Sequence, residues 1–483
     1  MPKKSDSGTP AADGGSPVAC NGKPMGGGSP ELGGSKQMGD GTAVMRDGRT
    51  IGNGSPADYD DPPYKKPKGT NDILPHESHK WRRAERIMRE TCDVFGFREI
   101  RVPVFERTEV FARGVGDSSD IVRKEMYTFE DRKMGRSLTL RPEGTAGVVR
   151  SFIENGMSSL PMPVRLFYII TAYRHENVQK GRYREFNQFG AEVFGSARPD
   201  CDAEAISMAK LLFDRLGLQK TDLRINSIGC PECRQGYNRL LKEFFAPKIA
   251  GMCADCKDRL ERNPLRIIDC KEERCREAID GAPMPLDHLC DGCREHFEGL
   301  EAALGALGLQ YSIDRRIVRG LDYYNRTVFE FVSGNVGTQG TICGGGRYDG
   351  LVSLLGGPAT PAVGFSMGIE RLLMEMESVG AAAPEPSGTL LYVVTSGERA
   401  NNLMRPLVYK LRSEGYNIDM DIMGRSVKAC MKYANKQGSA YSAVIGDDEL
   451  ASGEASLRDM ATGESRSVRL SGFLDAARQL ARG

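Results

Sequence analysis

The sequence predicts a large region of mixed helix and strand followed by a small α/β domain, and three stretches carry that reading. Residues 163–195, PVRLFYIITAYRHENVQKGRYREFNQFGAEVFG, read as two strands joined by a long basic loop. Residues 389–445 alternate strands with helices at the spacing of a small α/β domain. Residues 230–293 crowd eight of the 13 cysteines into short-spaced pairs, a pattern of metal binding or reduced thiols rather than disulfides. The 483 residues suffice for two or three domains with sizeable cores. No run of about 18 apolar residues occurs, so no membrane partner is expected. With 66 Lys and Arg against 65 Asp and Glu the net charge is +1, which excludes no class of partner, because a basic surface can be local and offset elsewhere. The N-terminus lacks an apolar signal core and has few arginines, and a cytoplasmic location is expected.

Residues 1–62 are dominated by Gly, Ser, Pro and Asp, too poor in large apolar side chains to offset the entropy of ordering, and are expected to be a disordered tail. Order begins near Pro67. Trp81, Ala84, Ile87, Met88, Cys92 and Phe95 recur at three-to-four spacing, which predicts an amphipathic helix over 79–95. Ile100, Val102 and Val104 alternate through a strand over 98–105, where Pro103 implies an edge or a bulge. Such an edge suits a subunit interface or a plain monomer edge equally. A short strand over 137–141 ends in RPEGT, whose Glu143 and Thr145 either hold an ammonium group or cap the helix 146–154. In the hairpin, 164–173 is an almost unbroken apolar run suited to a buried strand. Its second half alternates, with Phe189, Ala191 and Val193 on one face and Phe186, Gln188 and Glu192 on the other. That polar face points to a ligand. The loop between the strands carries Arg174, His175, Glu176, Lys180, Arg182 and Arg184, a charge density suited to phosphate.

A helix over 202–216 and a strand over 222–228 lead into the pairs Cys230/Cys233, Cys253/Cys256, Cys270/Cys275 and Cys290/Cys293. Each short turn aims two sulfurs at one point, so two pairs can supply four thiolates tetrahedrally to zinc, and four pairs permit two sites. Grouping the first two pairs together and the last two together is the simplest reading; pairing across those groups, His288 or His296 as ligands, and a helical insert of merely reduced cysteines stay open. RGLDYYNRTVFEFV then sets Arg319, Tyr323 and Tyr324 ahead of an alternating strand with Val328 and Glu330. CGGGRYDGL, 343–351, reads as a glycine-rich turn that lets backbone approach a ligand and carries Tyr348. A strand over 362–367 enters a helix over 368–376 with Arg371 in its first turn, an unfavourable place for a cation unless an anion lies nearby. Gly, Pro and Ala mark 380–388 as a linker. Strand 389–394, helix 399–414, strand 417–420, helix 426–437 and strand 441–445 follow.

The RPEGT loop, the hairpin from Arg174 to Glu192, RGLDYYN, GGGRYDGL and the Arg371 helix, in this order from about Pro67 to the C-terminus, resemble a histidyl-tRNA synthetase of the bacterial type, a class II aminoacyl-tRNA synthetase. The resemblance implies an α+β catalytic domain on a mostly antiparallel sheet (class II synthetase type) over residues 63–380. It further implies a helical Cys-rich insertion at 229–307 and a C-terminal α/β anticodon-binding domain at 388–483. The implied reaction joins L-histidine and ATP to histidyl-adenylate and pyrophosphate, with Mg2+ on the phosphates, then passes histidine to the 3′ end of its tRNA. By resemblance, Glu143 and Thr145 hold the α-amino group with Tyr348 nearby, Gly144 belongs to the same histidine-binding set, Gln188 lies at the substrate's backbone end, Glu192 and Tyr324 face the imidazole, and Tyr323 lines the same pocket. A carboxylate and a phenol can meet the ring's one donor and one acceptor. Arg174 is expected at the α-phosphate and histidine carboxylate, Glu176 and Phe186 around adenine, and Arg371 at the γ-phosphate. Arg319 is expected to stabilise the charge that grows at the α-phosphate. Gln179 and Arg184 are expected at the tRNA acceptor end, and the 79–105 segment matches the family's dimer segment, implying a homodimer. Cysteine pairs are not required by the family as a whole, so structural Zn2+ in the insertion is an expectation for this lineage alone. The competing reading is a histidine-binding, synthetase-like regulatory subunit. Such proteins lose parts of the catalytic set and the anticodon domain, whereas Glu143, Arg174, Gln188, Glu192, Arg319 and Arg371 all stand here.

Overall fold

The computed structural model describes residues 64–116, 119–133, 135–334, 340–384 and 388–481, and the tail expected at 1–62 lies outside them. The chain divides into units Met1–Lys65 and Lys66–Gly483, and every element below belongs to the second. Its centre is an eight-stranded sheet in the order Arg98–Glu99, Val164–Tyr173, Glu185–Phe194, Ala362–Gly368, Thr341–Arg347, Asn325–Val332, Asp222–Ser227, Ser312–Ile313. Neighbours are antiparallel except at the two ends, where two-residue strands pair in parallel. The mostly antiparallel sheet is therefore as expected. The hairpin's alternation is also as expected: Phe189, Ala191 and Val193 enter a core with Ala84 and Met88 of the helix Pro75–Val94 and Ile206 and Leu212 of the helix Pro199–Arg215. Gln188 and Glu192 are left to the opposite face, where Val148, Phe152, Tyr168, Tyr324 and Tyr348 pack.

Two local readings are corrected. The strand expected over 98–105 is broken: Arg98–Glu99 joins the large sheet, whereas Phe105–Arg107 joins a separate three-stranded sheet with Ser137–Leu140 and Thr128–Glu130. Pro103 has no N–H to continue a ladder, and the Arg141 guanidinium takes the carbonyls of Val102 (2.7 Å) and Pro103 (3.2 Å) instead. The glycine-rich stretch expected as a turn is a central strand, Thr341–Arg347. Its glycines answer a steric demand, since a Cβ on Gly345 would overlap the Gly364 carbonyl and stand 2.7 Å from the Phe329 ring.

That strand ends in Arg347, which is fully buried. Its guanidinium pairs with Asp202 and Asp349 and donates to the Ser196 carbonyl at 2.8 Å, while His296 Nε2 lies 2.8 Å from Asp202 Oδ2. Burial pushes the Asp202 carboxyl up, but His296 and Arg347 hold it below its ordinary value. The stabilisation is thus present above the ordinary carboxylate range and is lost as acid protonates the group. Asp202→Ala is expected to destabilise the protein by about 3–5 kcal/mol, read as a lowered urea midpoint with an unchanged slope.

The C-terminal sheet runs Ile418–Met420, Leu391–Thr395, Tyr441–Ile445, Glu454–Asp459, Ser465–Arg469. Its first three strands are parallel, with the helices Glu398–Ser413 and Val427–Lys436 between them in sequence, as the α/β pattern predicts. The antiparallel pair that completes it escaped sequence reading because SRSVR is a polar, mostly exposed edge. Among the described residues no helix is long and apolar enough to cross a membrane.

Candidate active site

Glu192 stands at the centre of the pocket, 1% exposed. Its Oε1 accepts from the hydroxyls of Thr145 (2.7 Å) and Tyr168 (3.3 Å), and its Oε2 from the Tyr348 hydroxyl. Gly364 lies opposite it in register, and a Cβ there would overlap Glu192 Oε2. Burial pushes the Glu192 carboxyl up to about 8, against three hydroxyl donors that favour its charged form, and neighbouring Glu143 pushes it the same way as burial. Glu143 accepts from the backbone N–H groups of Thr145 and Ala146, both at 2.7 Å. It therefore satisfies two otherwise unpaired N–H groups at the N-terminus of the helix Thr145–Glu154, one with each carboxylate oxygen. Gln188 bridges the same loop to the sheet, accepting from Gly144 N–H (3.0 Å) and donating to Ser366 Oγ (3.1 Å). Three tyrosines close the far side: Tyr323 to Tyr324 is 4.6 Å between ring centroids, and Tyr323 to Tyr348 is 5.5 Å.

Next to this pocket is a cationic end. Arg174 Nε donates to the Pro142 carbonyl (2.8 Å), and its guanidinium lies 5.2 Å from the Phe186 ring centroid. Arg182 approaches Glu176 at 3.6 Å. Burial lowers the pKa of Arg371, and the like charge of Arg182 lowers it further. Two cations gathered at one carboxylate form a site poised for an anion. Arg319 sits across the sheet, paired with Glu330, whose other oxygen accepts from Thr341 Oγ1 (2.7 Å), and its guanidinium is 5.7 Å from the Tyr324 ring centroid. Gly344 makes this possible, because a Cβ there would fall 2.5 Å from Arg319 Nη1. In the basic loop Gln179 is exposed, whereas Arg184 is half-buried, its Nε 3.4 Å from the Glu176 carbonyl.

The fold thus brings Glu143, Thr145, Gln188, Glu192 and Tyr348 into one cluster, Gln188 joining through the Gly144 N–H, with the rings of Tyr323 and Tyr324 packed edge-on against Tyr348. Sequence reasoning missed three partners. Tyr168 is indistinguishable within an apolar run; its place is set by its hydroxyl on Glu192 and by Gly144 and Gly190, where a Cβ would meet its ring. Ser366 and Glu330 serve as supports for Gln188 and Arg319, and no linear spacing signals either role.

The cysteines form two tetrads, Cys230/Cys233/Cys290/Cys293 and Cys253/Cys256/Cys270/Cys275, each with its sulfurs within 4.8 Å of one another. The expected grouping of the first two pairs and the last two is corrected to a nested one. The insertion leaves and re-enters the fold at one place, so the first and last pairs meet at its base, where the helices Pro231–Phe245 and Asp291–Ala306 begin. Neither histidine substitutes: His296 is committed to Asp202, and the His288 ring packs 5.7 Å from Tyr237. Sulfur separations of 3.5 Å (Cys230 to Cys233), 3.9 Å (Cys230 to Cys290) and 3.8 Å (Cys253 to Cys270) match the edge of a tetrathiolate tetrahedron, about 3.8 Å for a metal–sulfur bond of about 2.3 Å. Backbone N–H groups aim at sulfur as well, from Cys290 to Cys233 (3.1 Å) and from Cys253 to Cys275 (3.3 Å).

A family model described as histidyl-tRNA synthetase matches residues 69–233 and 246–372, and one described as an anticodon binding domain matches 390–480. A histidine–tRNA ligase of Acetivibrio thermocellus is 58% identical over 84% of this chain and 97% of its own length. One of Caldanaerobacter subterraneus subsp. tengcongensis is 52% identical, with the same two shares. The apo histidyl-tRNA synthetase structure from S. aureus aligns with a TM-score of 0.73 at 39% identity, covering 86% of this chain and all of that one.

Proposed function

Since the chain belongs to the histidyl-tRNA synthetase family and is a histidine–tRNA ligase, we propose that the cluster around Glu192 is where L-histidine is selected and activated. The observation that carries this is the convergence on one buried carboxylate of Thr145, Tyr168 and Tyr348, beside Tyr324. The Glu192 carboxylate accepts the imidazole N–H, and the Tyr324 phenol donates to the ring's other nitrogen. Apolar amino acids of similar size are rejected because they leave these buried groups unpaired. Glu143 and Thr145 take the ammonium, with Gly144, Gln188 and Tyr348 at the backbone end. ATP enters as its Mg2+ complex, adenine between Phe186 and Glu176, the α-phosphate at Arg174 and the γ-phosphate at Arg371. The histidine carboxylate is already ionised and attacks the α-phosphorus directly, pyrophosphate leaving. Positioning and charge stabilisation by Arg174 and Arg319 do the rest. Gln179 and Arg184 then meet the acceptor end of the tRNA. Calorimetric titration with L-histidine tests the pocket: Tyr324→Phe is expected to weaken binding about tenfold, and undiminished affinity contradicts it.

Around this site we divide the chain into a catalytic domain at 63–380, an insertion at 229–307 and an anticodon domain at 388–483. The protein is read as a cytoplasmic homodimer associated through the 79–105 segment. Each cysteine tetrad fits a structural Zn2+ held by four thiolates, and such an ion would supply cross-linking of the insertion, not chemistry. Purified protein is expected to contain about two equivalents of zinc, and less than about half an equivalent in undamaged protein contradicts the zinc sites.

A further inference from the structure

The loop that carries Arg319, Tyr323 and Tyr324 is irregular in backbone, and side chains of the insertion hold it from outside the sheet. Arg266 Nη1 donates to the Gly320 carbonyl (3.3 Å), Asn263 Nδ2 to Asp322 Oδ1 (2.7 Å), and Arg234 Nη1 to the Tyr324 carbonyl (2.7 Å). Asn263 is buried. Arg259 and Arg266 both pair with Asp120, at 3.1 and 3.4 Å, anchoring the same segment to the catalytic core. Cys256, Leu260, Leu265, Ile317, Val318 and Tyr324 pack in one continuous cluster, so the insertion's interior and the pocket wall are a single body.

Every one of these donors is flanked by the tetrads. Arg234 directly follows Cys233, and Asn263 and Arg266 lie on the stretch between Cys256 and Cys270, both ends of which belong to the inner tetrad. We infer that Asn263, Arg266 and Arg234 are positioning residues for histidine recognition, and that the cysteine tetrads brace them so that the loop is held ready over the amino-acid pocket. This rests on the assignment of that pocket to L-histidine. A loop ordered in advance does not have to lose its freedom when substrate binds. Loosening it therefore raises the histidine KM selectively: Arg174, Phe186 and Arg371, proposed for ATP, stand on the hairpin and on the helix Ile369–Ser378, whereas Arg319, on the loop itself, acts on charge that develops in the transition state and registers in kcat rather than in the ATP KM.

In pyrophosphate exchange by the full zinc-loaded chain, Asn263→Ala and Arg234→Ala are each expected to raise the histidine KM about tenfold while the ATP KM stays within about twofold. Asn263→Ala and Asp322→Ala are expected to be coupled, the double variant no worse than Asp322→Ala alone. Calorimetry with L-histidine in the absence of ATP is expected to show the same loss in Cys256→Ser, which also gives up about one equivalent of zinc. If Tyr324→Phe raises the histidine KM while Asn263→Ala and Arg234→Ala do not, the inference is overturned and the pocket assignment stands. If none of the three changes it, the pocket assignment falls and the inference falls with it. Equal rises in both KM values that track a lowered melting temperature reduce these residues to fold stability and overturn the inference as well.

Discussion

Arg319→Ala is expected to slow histidine-dependent exchange of pyrophosphate into ATP by about 10²–10³-fold while shifting the KM for ATP less than about threefold. The guanidinium is held by Glu330 and lies beside the Tyr324 ring before any substrate arrives. Its charge is therefore oriented in advance for the negative charge that develops at the α-phosphate, and it contributes most in the transition state. A loss of ATP affinity large enough to explain the whole defect would contradict that role. Gly344→Ala reaches the same chemistry by a different route. The added methyl meets the guanidinium of Arg319, the far end of a flexible side chain, so the protein is expected to fold and yet to lose rate with the same insensitivity of the ATP KM.

Glu192→Gln is expected to lower kcat/KM for histidine by about 10²-fold and to remove a pH dependence that the unaltered enzyme shows. Burial holds the free Glu192 carboxyl near 8, so most of the free enzyme carries a proton there at neutral pH. The imidazole N–H requires an accepting carboxylate, and binding therefore releases that proton. It follows that kcat/KM for histidine rises with pH and levels off above about 8. The stability consequence has the opposite direction. A folded-state value above the ordinary carboxylate one means that this group's contribution is full below the ordinary value and is lost as pH rises toward about 8. In thermal melts without ligand, the glutamine variant should accordingly gain on the parent across that window. A flat histidine profile in the parent, or an unchanged one in the variant, would contradict the assignment of Glu192 to the ring.

The polar face of the hairpin was legible because a period of two needs only local sequence: Gln188 and Glu192 alternate with Phe189, Ala191 and Val193 whatever the rest of the chain does. Residues 343–347 were not legible in that way. Three successive glycines have the composition of a turn, and what makes them a strand is remote: the Gly364 carbonyl and Phe329 crowd one glycine and Arg319 another. The cysteine spacings announced tetrads, but which pairs meet depends on where the insertion leaves and re-enters the sheet. Tyr168, Ser366 and Glu330 support the site through contacts across strands and carry no signature of their own. Local chemistry was thus readable, and long-range steric and topological constraints were not.

The most direct test of the account is one assay on one preparation of the full chain: exchange of pyrophosphate into ATP with and without L-histidine, followed by charging of histidine tRNA. Exchange that requires L-histidine, accompanied by histidylated tRNA, is the predicted result. Exchange without charging, or neither activity, would contradict it.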